Sequence, residues 1–123
     1  MPQDLTVKLR QLLDAKPARS AADPLGAMNA AQDFHQAIAD ASRNSRLADS
    51  LRCCFDETAR AHHILPGLQH HIGAPTELAE HDAVYAAIAA ADARAAEEAI
   101  RVHLRSIRTA MTQQFTDPGS LRA

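Results

Sequence analysis

Apolar residues recur along this chain with the period of helices, broken by short polar or proline-marked connections. Residues 4–15, DLTVKLRQLLDA, carry Leu5, Leu9, Leu12 and Leu13 at helical spacing. Pro17 is expected to stop this helix, and residues 18–24 read as a loop. Asp23-Pro24 opens a second helix over 24–42, with Asp as N-cap and Pro at the first helical position. Its apolar face passes through Leu25, Met28, Ala31, His35 and Ile38, with Phe34 beside it. Asn44 is the candidate left-handed residue at its end. A third helix over 45–65 has Leu47, Leu51, Cys54, Phe55, Thr58 and Ala61 or His62 as its inner stripe, and Pro66-Gly67 closes it. After the connection LQHHIGAP, Thr76 caps a helix with Glu77 and Glu80 toward its positive end and His81, Val84, Tyr85 and Ile88 on one face. The last helix, over 93–114, sets Ala96, Ile100, His103 and Ile107 on one face, ahead of a polar tail expected to fray.

The stretch from Glu80 to Leu104 organises the rest. His81 and His103 stand at its two ends, with Asp92 midway between them. As one straight helix the stretch would hold the two rings about 33 Å apart. Folded back near Asp92, its halves run antiparallel and the two histidines meet at one level. Aspartate suits such a break, because its side-chain oxygen accepts an unsatisfied N–H at a helix start.

Composition sharpens this picture. The 123 residues fit one domain. Only four residues are Phe or Tyr, there is no Trp, and 27 are alanine, the best helix former. The expectation is an all-α domain, an antiparallel helical bundle of about five helices with thin, closely spaced layers. Eleven of the thirteen basic residues are Arg, scattered without a basic run, so nothing marks the chain by itself as a nucleic-acid binder. No apolar stretch is long enough for a membrane span, and the N-terminus lacks the apolar centre of a signal peptide, which points to the cytoplasm. The adjacent pair Cys53 and Cys54 reads as two buried or half-buried thiols rather than a structural disulfide.

Seven histidines remain to be placed. His62, His63, His70 and His71 form adjacent pairs near a connection and read as solvated. His35, His81 and His103 each sit singly on an apolar stripe. Burying three imidazoles without partners costs several kcal/mol. A divalent ion such as Zn²⁺ or Ni²⁺ would satisfy all three and keep positions open for water or an anion.

Two segments of this chain resemble a known family. Phe34-His35, Ala37-Ile38-Ala39 and Ala41-Ser42 followed by Asn44 are similar to the FHxAIAxASxN signature of the FadR C-terminal (FCD) effector domain of GntR-superfamily transcription regulators. Glu80-His81, Ala87-Ile88, Asp92, Ala95-Ala96 and His103-Leu104 resemble its second signature, in the same order and spacing. The resemblance implies an antiparallel all-α bundle with a central cavity, in which many members hold a divalent metal through one aspartate and three histidines. The matching histidines are His35, His81 and His103. A small carboxylate effector completes the metal shell, and Asn44 and Arg52 are polar candidates for contacting it. The implied role is sensing rather than catalysis.

Two departures from the family matter. Where metal-binding members carry the aspartate, one turn before the first histidine, this chain has Ala31; Asp33 lies about 200° round the helix from His35 and is not a substitute. The family's DNA-binding region and opening helix have no counterpart in the sequence read here. DNA binding is therefore expected only through a module outside it, and the exposed apolar surface favours a homodimer. Two further readings stay open: a metal-dependent enzyme with a three-histidine site, whose only general-base candidate is Glu77 one turn before His81, and a structural helical interaction module.

Overall fold

The computed structural model describes residues 3–20, 24–64 and 74–116. These form five helices: α1 (Gln3–Ser20), α2 (Pro24–Ala41), α3 (Ser45–Ile64), α4 (Pro75–Ala89) and α5 (Ala93–Thr116). There are no strands among the described residues, so the class is all-α. Asp23, Pro66, Gly67, His70, His71 and the tail after Thr116 lie outside the described residues, as do the side chains of Leu25, His62 and His63. The chain divides into two compact units, residues 1–60 and 61–123.

In the first unit α1 packs on α2. Leu9 and Phe34 are fully buried, and Leu13, Ala27, Met28 and Ala30 join them. Alanines on α2 bring the helices close, so that one phenylalanine fills the layer. The buried stripe of α2 runs through Ala27, Ala30, Phe34 and Ala37. His35 is therefore on the flank rather than at the centre of that stripe, half-buried. α1 also continues three residues past Pro17. A proline disturbs the turn before it, through a lost ladder hydrogen bond and crowding of the carbonyl four residues back, and so does not by itself prevent the residues after it from staying helical.

The α2–α3 corner corrects a second expectation. Arg43, with φ 61°, takes the left-handed conformation. Asn44 instead begins α3: its Oδ1 accepts from the Leu47 N–H at 3.0 Å and its carbonyl from the Ala48 N–H at 3.0 Å. Gln36 Nε2 then donates to the Ala48 carbonyl (3.1 Å) and Gln32 Nε2 to the Phe55 carbonyl (3.2 Å). Two glutamines one turn apart thus tie α2 to the backbone of an antiparallel α3. Most of the expected α3 stripe turns inward, with Leu51, Phe55, Thr58 and Ala61 half-buried; at its start, however, Ala48 is buried while Leu47 is 56% exposed. Cys53 and Cys54 are both exposed free thiols, not buried ones.

The second unit is built on the α4–α5 hairpin. α4 starts at Pro75 with Ala74 as N-cap and no side-chain cap bond, so Thr76 lies inside the first turn instead of capping it. Proline at the helix start gives up no hydrogen bond, because that N–H has no intrahelical partner. Ala91 ends α4 in the left-handed region with φ 56°. The Ala91 N–H donates to the Ile88 carbonyl and the Asp92 N–H to the Ala87 carbonyl, both at 3.0 Å. These are the two bonds of a Schellman turn. Asp92 Oδ1 then accepts from the Ala95 N–H at 3.1 Å and caps α5. The chain thus folds back where expected, and Val84, Ala87 and Ile88 of α4 are buried in the hairpin unit.

Candidate functional site

The turn at Ala91-Asp92 sets the register of the hairpin, and that register brings His81 to His103. Both side chains are 1% exposed. Their rings lie 4.5 Å apart between centroids at an interplanar angle of 64°. The two Nε2 atoms face each other at 3.1 Å. On the far side of the His103 ring, Nδ1 lies 3.0 Å from Glu80 Oε1. Ser106 Oγ donates to the other oxygen, Glu80 Oε2. Glu80 is the residue before His81 on α4, and Ser106 is one turn beyond His103 on α5. One carboxylate, 10% exposed, thus grips α5 at two points beside the paired rings.

A second acid is buried nearby in sequence. Glu77, one turn before His81, is 4% exposed. Helix geometry therefore sets two carboxylates on His81's own helix, at positions −4 and −1. Carboxylates in a poorly hydrated region favour a cation beside them, because charge–charge attraction strengthens as water is excluded.

The donor set suits a borderline divalent ion. Ligands at ~2.0–2.1 Å from one ion, at tetrahedral to octahedral angles, are about 2.8–3.4 Å apart. The His81–His103 nitrogen separation of 3.1 Å falls in that range. The same separation also fits an N–H···N hydrogen bond. Imidazole ligands in metal sites usually have their second nitrogen bonded to a carboxylate or carbonyl, as Glu80 does for His103.

The other predicted positions belong to the first unit. The His35 ring lies edge-on to Phe34, 5.3 Å between centroids, and 6.1 Å from the Phe55 ring. Ala31, one turn before it, offers no ligand atom, and Asp33 is exposed. Asn44 lines an open groove at the α2–α3 corner with Asp40, Arg43 and Asp49, its Oδ1 engaged in capping α3. Arg52 is exposed and paired with Asp49 at 3.4 Å and Asp40 at 3.7 Å.

The sequence places Glu80 at the positive end of the helix dipole and beside His81 in the second signature, but assigns no role to its carboxylate at His103 and none to Ser106. The hairpin symmetry was the available signal. With the turn centred on Asp92, residue 80 lies level with residue 104, between His103 and Ser106.

Residues 1–106 match the family model of the FCD domain. No curated protein and no solved structure matches the chain. No described helix is long and apolar enough to cross a membrane.

Proposed function

The chain belongs to the FCD domain family, the C-terminal effector-binding domain of GntR/FadR-type regulators, and from that premise we propose that it senses a small carboxylate through a divalent cation held by His35, His81 and His103. The observation that carries this reading is the buried His81–His103 pair, with its Nε2 atoms turned toward each other. His35 is the third residue of the set able to offer a ring nitrogen. When bound, the cation supplies positive charge and open coordination positions for a carboxylate oxygen. The protein's own residues bury His81 and His103 away from water and brace the His103 ring through Glu80. Ala31 in place of an acidic residue leaves one fewer protein ligand, so more of the coordination shell is left to water or effector.

Effector contacts at Asn44 and Arg52 are part of the same proposal. Each already has a partner: Arg52 would exchange Asp40 and Asp49 for the carboxylate, and Asn44 would release the Leu47 N–H. The assignment includes no catalytic residue. In a regulator built on this domain, an effector that binds one helix arrangement more tightly than another shifts their populations and biases the attached DNA-binding modules.

Thermal unfolding with Zn²⁺, Ni²⁺, EDTA and a panel of hydroxy acids and dicarboxylates tests the reading. A cation should raise the melting temperature and EDTA should reverse the rise; at a hundredfold excess over Kd the gain is about 2.7 kcal/mol. A carboxylate should add to the effect only when the cation is present. A melting temperature indifferent to metals, chelator and carboxylates would instead mark the protein as a structural bundle.

A further inference from the structure

We propose that Glu80, braced by Ser106, is a positioning residue that holds neutral His103 in the Nδ1–H tautomer and so turns the Nε2 lone pair toward His81. The argument is one of donors and acceptors. A carboxylate only accepts hydrogen bonds, so the ring nitrogen 3.0 Å from Glu80 Oε1 must carry the proton. Neutral imidazole has a single N–H, which leaves Nε2 as the lone-pair nitrogen. The opposite tautomer would set a lone pair against a carboxylate oxygen in a region where His103 is 1% and Glu80 10% exposed, with little water to relieve it.

The carboxylate is itself held in place. Its second oxygen accepts from Ser106 Oγ, and Ser106 rises from the same face of α5 as His103. Glu80 therefore cannot rotate away without losing both bonds to α5. Its neighbour His81 presents Nε2 at 3.1 Å from the His103 lone pair. One side chain thus locks the hairpin and prepares one ligand nitrogen. The tautomer claim stands on this geometry alone; only its consequence for metal affinity rests on the function proposed above.

Long-range proton–nitrogen correlation NMR on uniformly ¹⁵N-labelled, metal-free protein reads the tautomer directly, with the His103 signals assigned by their loss in His103→Gln. His103 should show a protonated Nδ1 and an unprotonated Nε2 in the wild type. In Glu80→Ala the two tautomers should mix, and Zn²⁺ affinity measured against a competing chelator should fall about 10–100-fold. Ser106→Ala should move both readouts in the same direction by less. A wild-type His103 protonated at Nε2 overturns the inference without recourse to any variant. So does a Glu80→Ala protein with unchanged tautomer, whereas a shifted tautomer with unaltered zinc affinity upholds the positioning role and overturns only its consequence for the metal. If the wild type binds no zinc, the tautomer alone decides the inference, and it is the metal reading that fails.

Discussion

Replacing Ala91 with glycine should stabilise this protein, although Ala→Gly within a helix ordinarily does the opposite. Ala91 has φ 56°, where its Cβ crowds the following carbonyl. That conformation costs an L-residue about 1–2 kcal/mol, and glycine avoids the cost. Against this, glycine gains freedom in the unfolded chain worth about 0.5–1 kcal/mol. The Schellman bonds from the Ala91 and Asp92 N–H groups are backbone bonds and survive the change. The net expectation is a gain of about 0.5–1 kcal/mol. The natural control is Ala86→Gly, five residues earlier on the exposed face of α4. There glycine should cost about 1 kcal/mol. Urea unfolding followed by circular dichroism at 222 nm measures both. With a slope of about 1–3 kcal/mol per molar, the Ala91→Gly midpoint should rise by a few tenths molar at constant slope. Equal losses in the two variants would mean that the fold-back does not pass through a left-handed Ala91, and the register that pairs His81 with His103 would lose its explanation.

Other consequences can be checked in the same preparation. Asp92→Ala removes the side-chain cap on the Ala95 N–H and should cost about 1 kcal/mol in urea unfolding, with Asp92→Asn retaining most of it. Phe34→Ala empties the fully buried centre of the α1–α2 layer and should cost about 3–5 kcal/mol, enough to unfold much of the protein. Cys53 and Cys54, both exposed, should react with a thiol reagent in the native protein at rates close to those in denaturant; strong protection would contradict their placement on the outer side of α3.

Much of the architecture was legible from periodicity and punctuation. The helix order, the fold-back at Asp92 and the facing stripes of α4 and α5 follow from spacing, because a 3.6-residue period and a capping aspartate are local signals. What was less legible depends on neighbours. Leu47 and Cys54 fit the α3 stripe with Leu51 and Phe55 as well as Ala48 does; which flank of that stripe turns inward is settled by packing. Asn44 favours both a left-handed helix end and an N-cap, and the capping bond to Leu47 decided it, leaving the strained φ to Arg43. Pro17 and Thr76 misled for one reason: each is a strong terminus marker that a helix nevertheless accommodated, one near its end and the other behind Pro75. The histidine pair was foreseen, but its carboxylate support was not, since Glu80 looked complete as a dipole partner until α5 lay alongside it.

The most direct test of the metal reading is elemental analysis of protein purified without a histidine tag, run beside His81→Ala and His35→Ala. The account predicts a divalent transition metal at close to one per chain in the wild type, and loss of most of it in both variants with helicity retained. A wild type that stays metal-free after incubation with Zn²⁺ and Ni²⁺, or a His81→Ala protein that keeps its full metal content, would contradict it.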